Sequence, residues 1–148
     1  DINLRAPHYH ISMVYELMQQ SDFIKLNDEE LAEVCEALGC QESAMKNQIQ
    51  WLIKITKAAS VCVTRGDAGA LLFHESEFYE HDGFGVNVVD TVGAGDSFLA
   101  TLIHSLLLKK DNPHNALKTA CAVGAIVASK EGANCVISEK ELQDFIRQ

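Results

Sequence analysis

Arginine is scarce in this chain: Arg5, Arg65 and Arg147 are the only three, and acids outnumber lysine plus arginine 21 to 12, giving a formal net charge of −9. That balance argues against nucleic acid or an anionic membrane as the main partner, because both are held chiefly by clustered cations. An anionic small molecule remains open, since helix N-termini bind one without side-chain cations. No apolar run approaches the roughly 18 residues of a membrane helix, and nothing at the start reads as a signal peptide. The five cysteines (Cys35, Cys40, Cys62, Cys121, Cys135) are odd in number and contain no CxxC pair. A disulfide framework and a zinc site are therefore not expected, and the thiols read mostly as small buried hydrophobes. Among the six histidines, His8 and His10 lack a neighbouring cysteine or acid that would complete a metal-ligand spacing. Repeats, low-complexity tracts and Pro/Ser-rich linkers are missing too. These absences leave one domain over 1–148 and a cytoplasmic, reducing location as the expectations.

What is present is globular: 47% apolar and 22% charged residues in 148, enough chain to bury a core. The spacing predicts an amphipathic helix over 12–20 and a short apolar strand over 22–27. A helix over 28–39 follows, with Asn27 as N-cap, acids in its first turn and Gly39 at its end. Residues 43–57 form a further helix with Met45, Ile49, Leu52, Ile53 and Trp51 on its apolar side. The period then changes. Residues 60–66 and 69–75 read as a strand pair separated by Gly66 and Gly69, with an edge strand over 77–83 and an extended stretch from Val86 to Val89. Helices follow over 94–109 and 115–130, and a last one starts at Ser138, where Glu141 completes a capping box. Helix–strand alternation, a hairpin and three helices describe an α/β layered fold. The chain opens on DINLR, which reads as the end of a buried strand, so an upstream segment is expected.

Sites in such folds gather where strand ends meet helix N-termini. The string VVDTVGAGDSFLATLI (88–103) occupies a place of that kind. Gly93 and Gly95 let backbone approach a ligand closely, and the N–H groups of Gly93, Ala94, Gly95 and Asp96 would face outward as an anion cradle. A carboxylate in the first turn is stabilised as the anion by the helix dipole, which suits a base that accepts a hydroxyl proton during phosphoryl transfer. A bare GxGD also reads as a simple turn into a helix, with Asp96 a favourable first-turn residue. Asn27 and Glu30 likewise read either as a phosphate-side motif or as a capping arrangement.

DTVGAGDSF, together with KLNDEE (25–30) and VTRGDAG (63–69), strongly resembles the ribokinase-like, or PfkB, family of carbohydrate kinases. The resemblance runs along the whole chain and corresponds to the C-terminal, nucleotide-binding half of a family member. It implies a ribokinase-like, Rossmann-like α/β fold and ATP-dependent phosphorylation of a sugar hydroxyl, with ATP and Mg²⁺ as cofactors. By the same resemblance Asp96 is the base and touches the sugar, and Gly93, Ala94 and Gly95 form the anion hole. Asn27 and Glu30 match an NxxE motif that arranges magnesium and triphosphate, Glu30 indirectly. Thr64, Arg65, Gly66 and Gly69 correspond to the segment at the nucleotide phosphates and ribose. Ala120, Cys121 and Gly124 line the adenine side, followed by Gly132. In members that hold a monovalent cation such as K⁺, Asp90 and the Val92 carbonyl take part, although SKEGANCVIS (129–138) departs from that pattern. DINLR is similar to a D-x-N-x-R run of fructokinase-like members, which makes Arg5 a candidate sugar contact. A full-length homodimer through an absent lid is also implied.

Two other classes compete. Without the half that carries most sugar contacts, the chain reads as a nucleotide-binding module that does not transfer phosphate. GDSF also echoes the nucleophile motif of some serine esterases, with Asp111 and His114 after Ser97, though those two follow only one helix later.

Overall fold

The helix and strand periods of the sequence settle into the order α1 (Ile11–Gln19), β1 (Phe23–Asn27), α2 (Asp28–Ala37), α3 (Met45–Thr56), β2 (Ser60–Thr64), β3 (Ala70–His74), β4 (Glu77–His81), α4 (Ala94–Ile103), α5 (Pro113–Ala128) and α6 (Glu139–Ile146). The structure, a computed structural model, describes residues 1–5, 7–133 and 135–147. The chain divides into two compact units, one of residues 1–65 and 71–78 and one of residues 66–70 and 79–148. Its four strands are ordered β1-β2-β3-β4.

In the first unit β1 and β2 run parallel, from Phe23 opposite Ser60 to Asn27 opposite Thr64. Three successive residues of β1, Ile24, Lys25 and Leu26, are buried, as are Ser60 to Val63 of β2. Burial of successive residues means that both faces of the pair are covered, the usual condition of parallel strands. Leu26, Leu31, Val34, Ile49, Leu52, Val61 and Val63 have no exposed surface and build this core. Each such leucine or valine contributes about 1.5–3 kcal/mol by leaving water. The connection from β2 to β3 is too short for a parallel crossover, so β3 runs back along β2. β3 and β4 are joined at Glu75 and Ser76, both with positive φ (50° and 68°), the pattern of a type I′ hairpin turn. β4 ends the sheet, and its exposed Glu77 and Glu80 discourage pairing with another chain at that edge.

Local chemistry sets the helix ends. Asn27 Oδ1 accepts the Glu30 N–H (2.7 Å) while a Glu30 carboxylate oxygen accepts the Asn27 N–H (2.8 Å), closing the capping box that starts α2. Asn112 caps α5, with Pro113 in its first turn, and Ser138 Oγ accepts the Glu141 N–H at the start of α6. In the second unit α4 and α5 pack together. Phe98, Leu102, Leu117, Ala120, Ile126 and Val127 are buried there.

One expectation is corrected. The helix predicted over 94–109 stays α-helical only to Ile103, and His104–Leu108 widen into a π turn. Lys109 N donates to His104 O (3.0 Å) and Asp111 N to Ser105 O (2.9 Å), so the chain leaves the helix through wider loops than an α-turn makes. The stretch after β4 is fastened to the end of α5, where Val89 N and Asp90 N both donate to Ala128 O (2.8 and 3.2 Å). Among the described residues no helix is long and apolar enough to cross a membrane.

Candidate functional site

The GAGD string lies in the second unit at the start of α4. Gly93 is the N-cap with φ 80°, and a Cβ on it would stand 2.7 Å from Ala133 Cβ. The left-handed backbone and the close neighbour both demand glycine here. Ser97 N donates to Gly93 O (2.9 Å), so the helix ladder begins at once. Of the four N–H groups expected to be open, one is not: Ala94 N donates to Thr91 O at 3.2 Å, closing the turn into the helix. Among the described residues nothing accepts the N–H groups of Gly93, Gly95 or Asp96, and the exposed Asp96 carboxylate makes no hydrogen bond or ion pair. Three donors and a carboxylate therefore share one helix start with their bonding capacity unspent.

The loop ahead of them is fixed from behind. Asp90 Oδ1 accepts the Val92 N–H (3.0 Å) and Oδ2 the Gly132 N–H (3.2 Å), joining the DTV turn to the loop that follows α5. Val92 itself is largely exposed. Asn134, in the run expected to bear on a monovalent cation, lies outside the described residues. Ala120 is fully buried, and the open side of Gly124 faces Ala94 O (3.4 Å) and Phe98 Cβ (3.5 Å). The small residues of α5 thus let α4 approach closely.

The remaining expected residues belong to the first unit, apart from Gly66 and Gly69, which belong to the second. Asn27 and Thr64 are opposite one another at the C-terminal ends of the parallel pair, the end of a parallel sheet where ligands bind. Thr64 Oγ1 reaches Leu26 O at 3.4 Å, Arg65 is half-buried, and Gly66 opens a short 3₁₀ turn through Ala68. Gly69 is buried, and a Cβ there would overlap the His81 carbonyl. Glu30 is 8% exposed, and both its oxygens are engaged: one by Asn27 N, the other by the Leu4 N–H at 3.0 Å. The Leu4 bond has no sequence signal, because its partners are 26 residues apart. Arg5 follows it, exposed.

The donor chemistry bears on magnesium. Glu30, engaged on both oxygens, could reach an ion only through water. Mg²⁺ keeps several waters and takes one or two carboxylates plus substrate phosphates, so these residues fit an ion brought largely by a nucleotide.

Other chemistries find less. Among the described residues no disulfide forms, and no set of three metal-ligating side chains gathers. Burial, with Cys40 beside it, pushes the Cys35 thiol up to about 12, far from a reactive thiolate. No hydrogen bond joins Ser97 to Asp111 or His114 among the described residues, so the esterase reading has no geometry. The second unit also carries an open depression of about 480 Å³ lined by His81, Asp82, Phe84, His114 and Lys118 among others. None of the expected site residues lines it. There Gly83 N donates to His81 Nδ1 (3.0 Å), and burial together with Lys118 holds His81 below the usual histidine range.

Comparison with known proteins follows these lines. The chain is similar to Fructokinase-2 of Oryza sativa subsp. japonica, 32% identical over 126 residues that cover 81% of this chain and 36% of that protein. It is similar to the ATP-dependent ribose-1-phosphate kinase of Halopiger xanaduensis, 31% identical over 133 residues covering 90% and 41%. Among solved structures it superposes on the fructokinase of Vibrio cholerae O395 in its fructose, ADP and calcium ion bound form. The TM-score is 0.77, with 26% identity over 92% of this chain and 44% of that one. The chain thus spans less than half the length of these relatives, and its α/β fold is ribokinase-like. Residues 1–140 match the pfkB family carbohydrate kinases, and the chain belongs to that family.

Proposed function

We propose that the protein containing this chain transfers the terminal phosphoryl group of ATP to a hydroxyl of a sugar, most closely a fructose-like one. The observation that carries the reading is the start of α4, where the N–H groups of Gly93, Gly95 and Asp96 and the Asp96 carboxylate lie together without partners among the described residues. In this reading Asp96 accepts the hydroxyl proton as the oxygen attacks phosphorus. The open N–H groups stabilise charge on the moving phosphoryl oxygens, aided by the dipole of α4. Ala94 contributes by closing the turn through Thr91 rather than by donating to the phosphoryl group. Asn27, Thr64, Arg65 and Gly66 are the candidate contacts of the nucleotide phosphates, and Arg5 is the candidate contact of the sugar. Magnesium, when bound, neutralises phosphate charge and aligns the leaving group. Asp90 and the Val92 carbonyl are the candidate ligands of a monovalent cation. A cytoplasmic location and a homodimer belong to the same reading. The fructokinase relatives and the bound fructose and ADP named for the Vibrio structure support the substrate class.

The test is phosphoryl transfer from ATP to a panel of sugars by the longest natural polypeptide that contains this chain. Loss of the base in Asp96→Asn lowers kcat by about 10²–10⁴-fold with ATP affinity unchanged, and near-normal turnover in that variant would sink the assignment. A second reading applies to the chain by itself: covering 36–41% of its curated relatives, it binds nucleotide without transferring phosphate. Calorimetric titration of the 148-residue chain with ATP tests that, and the absence of any heat of binding ends it.

A further inference from the structure

Among the described residues the Asp1–Arg5 segment is tied to β1 and α2 at three points. The Asp1 carboxylate faces Lys25 Nζ (3.3 Å), and both side chains are nearly buried, at 12% and 7% exposed. Ile2 N donates to Lys25 O of β1 (3.2 Å). The chain turns at Asn3, whose φ of 49° is left-handed, a conformation that asparagine tolerates. Leu4 N then donates to Glu30 Oε1 (3.0 Å), and Arg5 emerges exposed from the next position.

Glu30 therefore holds two things with one carboxylate. Its Oε2 keeps the Asn27 N–H at the start of α2, and its Oε1 keeps the Leu4 N–H one residue before Arg5. Neither oxygen is idle and the group is buried, so replacing it leaves a partly buried N–H without this acceptor. A capping box needs only the Asn27 side of this arrangement. The Leu4 side is additional, and it couples two segments far apart in sequence.

We propose that Glu30 is a positioning residue that fixes Arg5 relative to Asn27, setting the spacing between the sugar-side and phosphate-side contacts. This rests on the kinase reading above, in which Arg5 meets the sugar and Asn27 the nucleotide. The carboxylate does so by accepting both backbone donors at once. The Asp1–Lys25 pair supports the same segment from its other end, so disturbing either anchor has the same kinetic signature.

The test uses the full-length polypeptide with three variants: Glu30→Gln, Glu30→Asp and Asp1→Asn. Glu30→Gln offers one acceptor oxygen in place of two. It raises the sugar KM about tenfold or more, the size of a lost charge-assisted hydrogen bond, with a smaller change in the ATP KM. Asp1→Asn, which touches neither α2 nor the nucleotide side, shifts the sugar KM in the same direction and leaves the ATP KM alone. Glu30→Asp, which keeps two acceptors on a shorter arm, recovers part of the loss. Amide hydrogen exchange supplies a readout independent of turnover: Leu4 N–H exchanges about tenfold faster in Glu30→Gln, while the core amides of β1 keep their protection. The proposal is overturned if Glu30→Gln changes only the ATP or magnesium dependence, if Asp1→Asn leaves the sugar KM untouched, or if Leu4 exchange is unaltered. If wild-type protein phosphorylates no sugar, the kinase reading fails, while the exchange measurement still decides whether the tether exists.

Discussion

Alanine at position 93 isolates how much the start of α4 depends on one missing methyl group. Two costs add. The residue sits at φ 80°, and an L side chain in that left-handed region costs about 1–2 kcal/mol. The new Cβ would also lie 2.7 Å from Ala133 Cβ, 3.0 Å from Ala133 Cα and 3.2 Å from Ala133 O. Carbon contacts prefer about 3.5–4.0 Å, and forcing such overlap in a packed site costs about 1–3 kcal/mol. Gly93→Ala should therefore destabilise by about 2–5 kcal/mol, a large part of a domain's usual 5–15 kcal/mol. Gly132→Ala is the control for strain alone, since its φ is 78° but nothing among the described residues lies within 4 Å of the added Cβ; its cost is about 1–2 kcal/mol. Urea denaturation of wild type, both single variants and Gly93→Ala with Ala133→Gly measures all three quantities. The double variant should recover the Cβ overlap but not the left-handed strain, giving a coupling within the roughly 0.5–3 kcal/mol seen for touching residues. Equal destabilisation by Gly93→Ala and Gly132→Ala, or no coupling to position 133, would refute the reasoning.

Two further outcomes follow from the second unit. His81 is held below its ordinary value of 6.5 by burial first, then by Lys118 and His114, with Asp82 opposing them. The unfolded chain therefore takes up the proton first, and the stability that neutral His81 supplies is complete above pH 6.5 and is lost as pH falls below it. The Gly83 N–H bond to Nδ1 requires the same unprotonated nitrogen, so melting temperature measured against pH should slope downward below 6.5, and His81→Asn should flatten that slope. Leu117 has no exposed surface in α5, and Leu117→Ala should cost about 2–5 kcal/mol in urea denaturation; a loss below 1 kcal/mol would mean that the α4–α5 contact is looser than described.

Local chemistry was readable in advance. Asn27 with Glu30, and Ser138 with Glu141, are partners three residues apart, so residue type and spacing alone declare them. The β2–β3 pair was announced by a change of period between two glycines. What escaped prediction was set at long range or by the backbone. The Leu4–Glu30 and Asp90–Gly132 bonds span 26 and 42 residues and leave no periodic trace. The π turn after Ile103 arises from where the carbonyls of His104 and Ser105 find donors, in a run of leucines whose pattern looks like plain α-helix. The Ala94 N–H was expected to be open because helix starts leave donors unpaired; the Thr91 carbonyl in the turn before it takes one of them.

The pairing of Asn27 with Thr64 across two parallel strands carries a consequence of its own. A strand ladder is graduated in whole residues of about 3.3 Å, and a slip by one notch turns every side chain to the opposite face. Mild damage to the core therefore leaves these two positions paired, because the smallest change of register is a whole residue. The ladder works as a ruler: variants that loosen the first unit should retain native affinity for whatever spans Asn27 and Thr64 in every molecule that is folded, and the loss should be seen as fewer competent molecules, each unchanged.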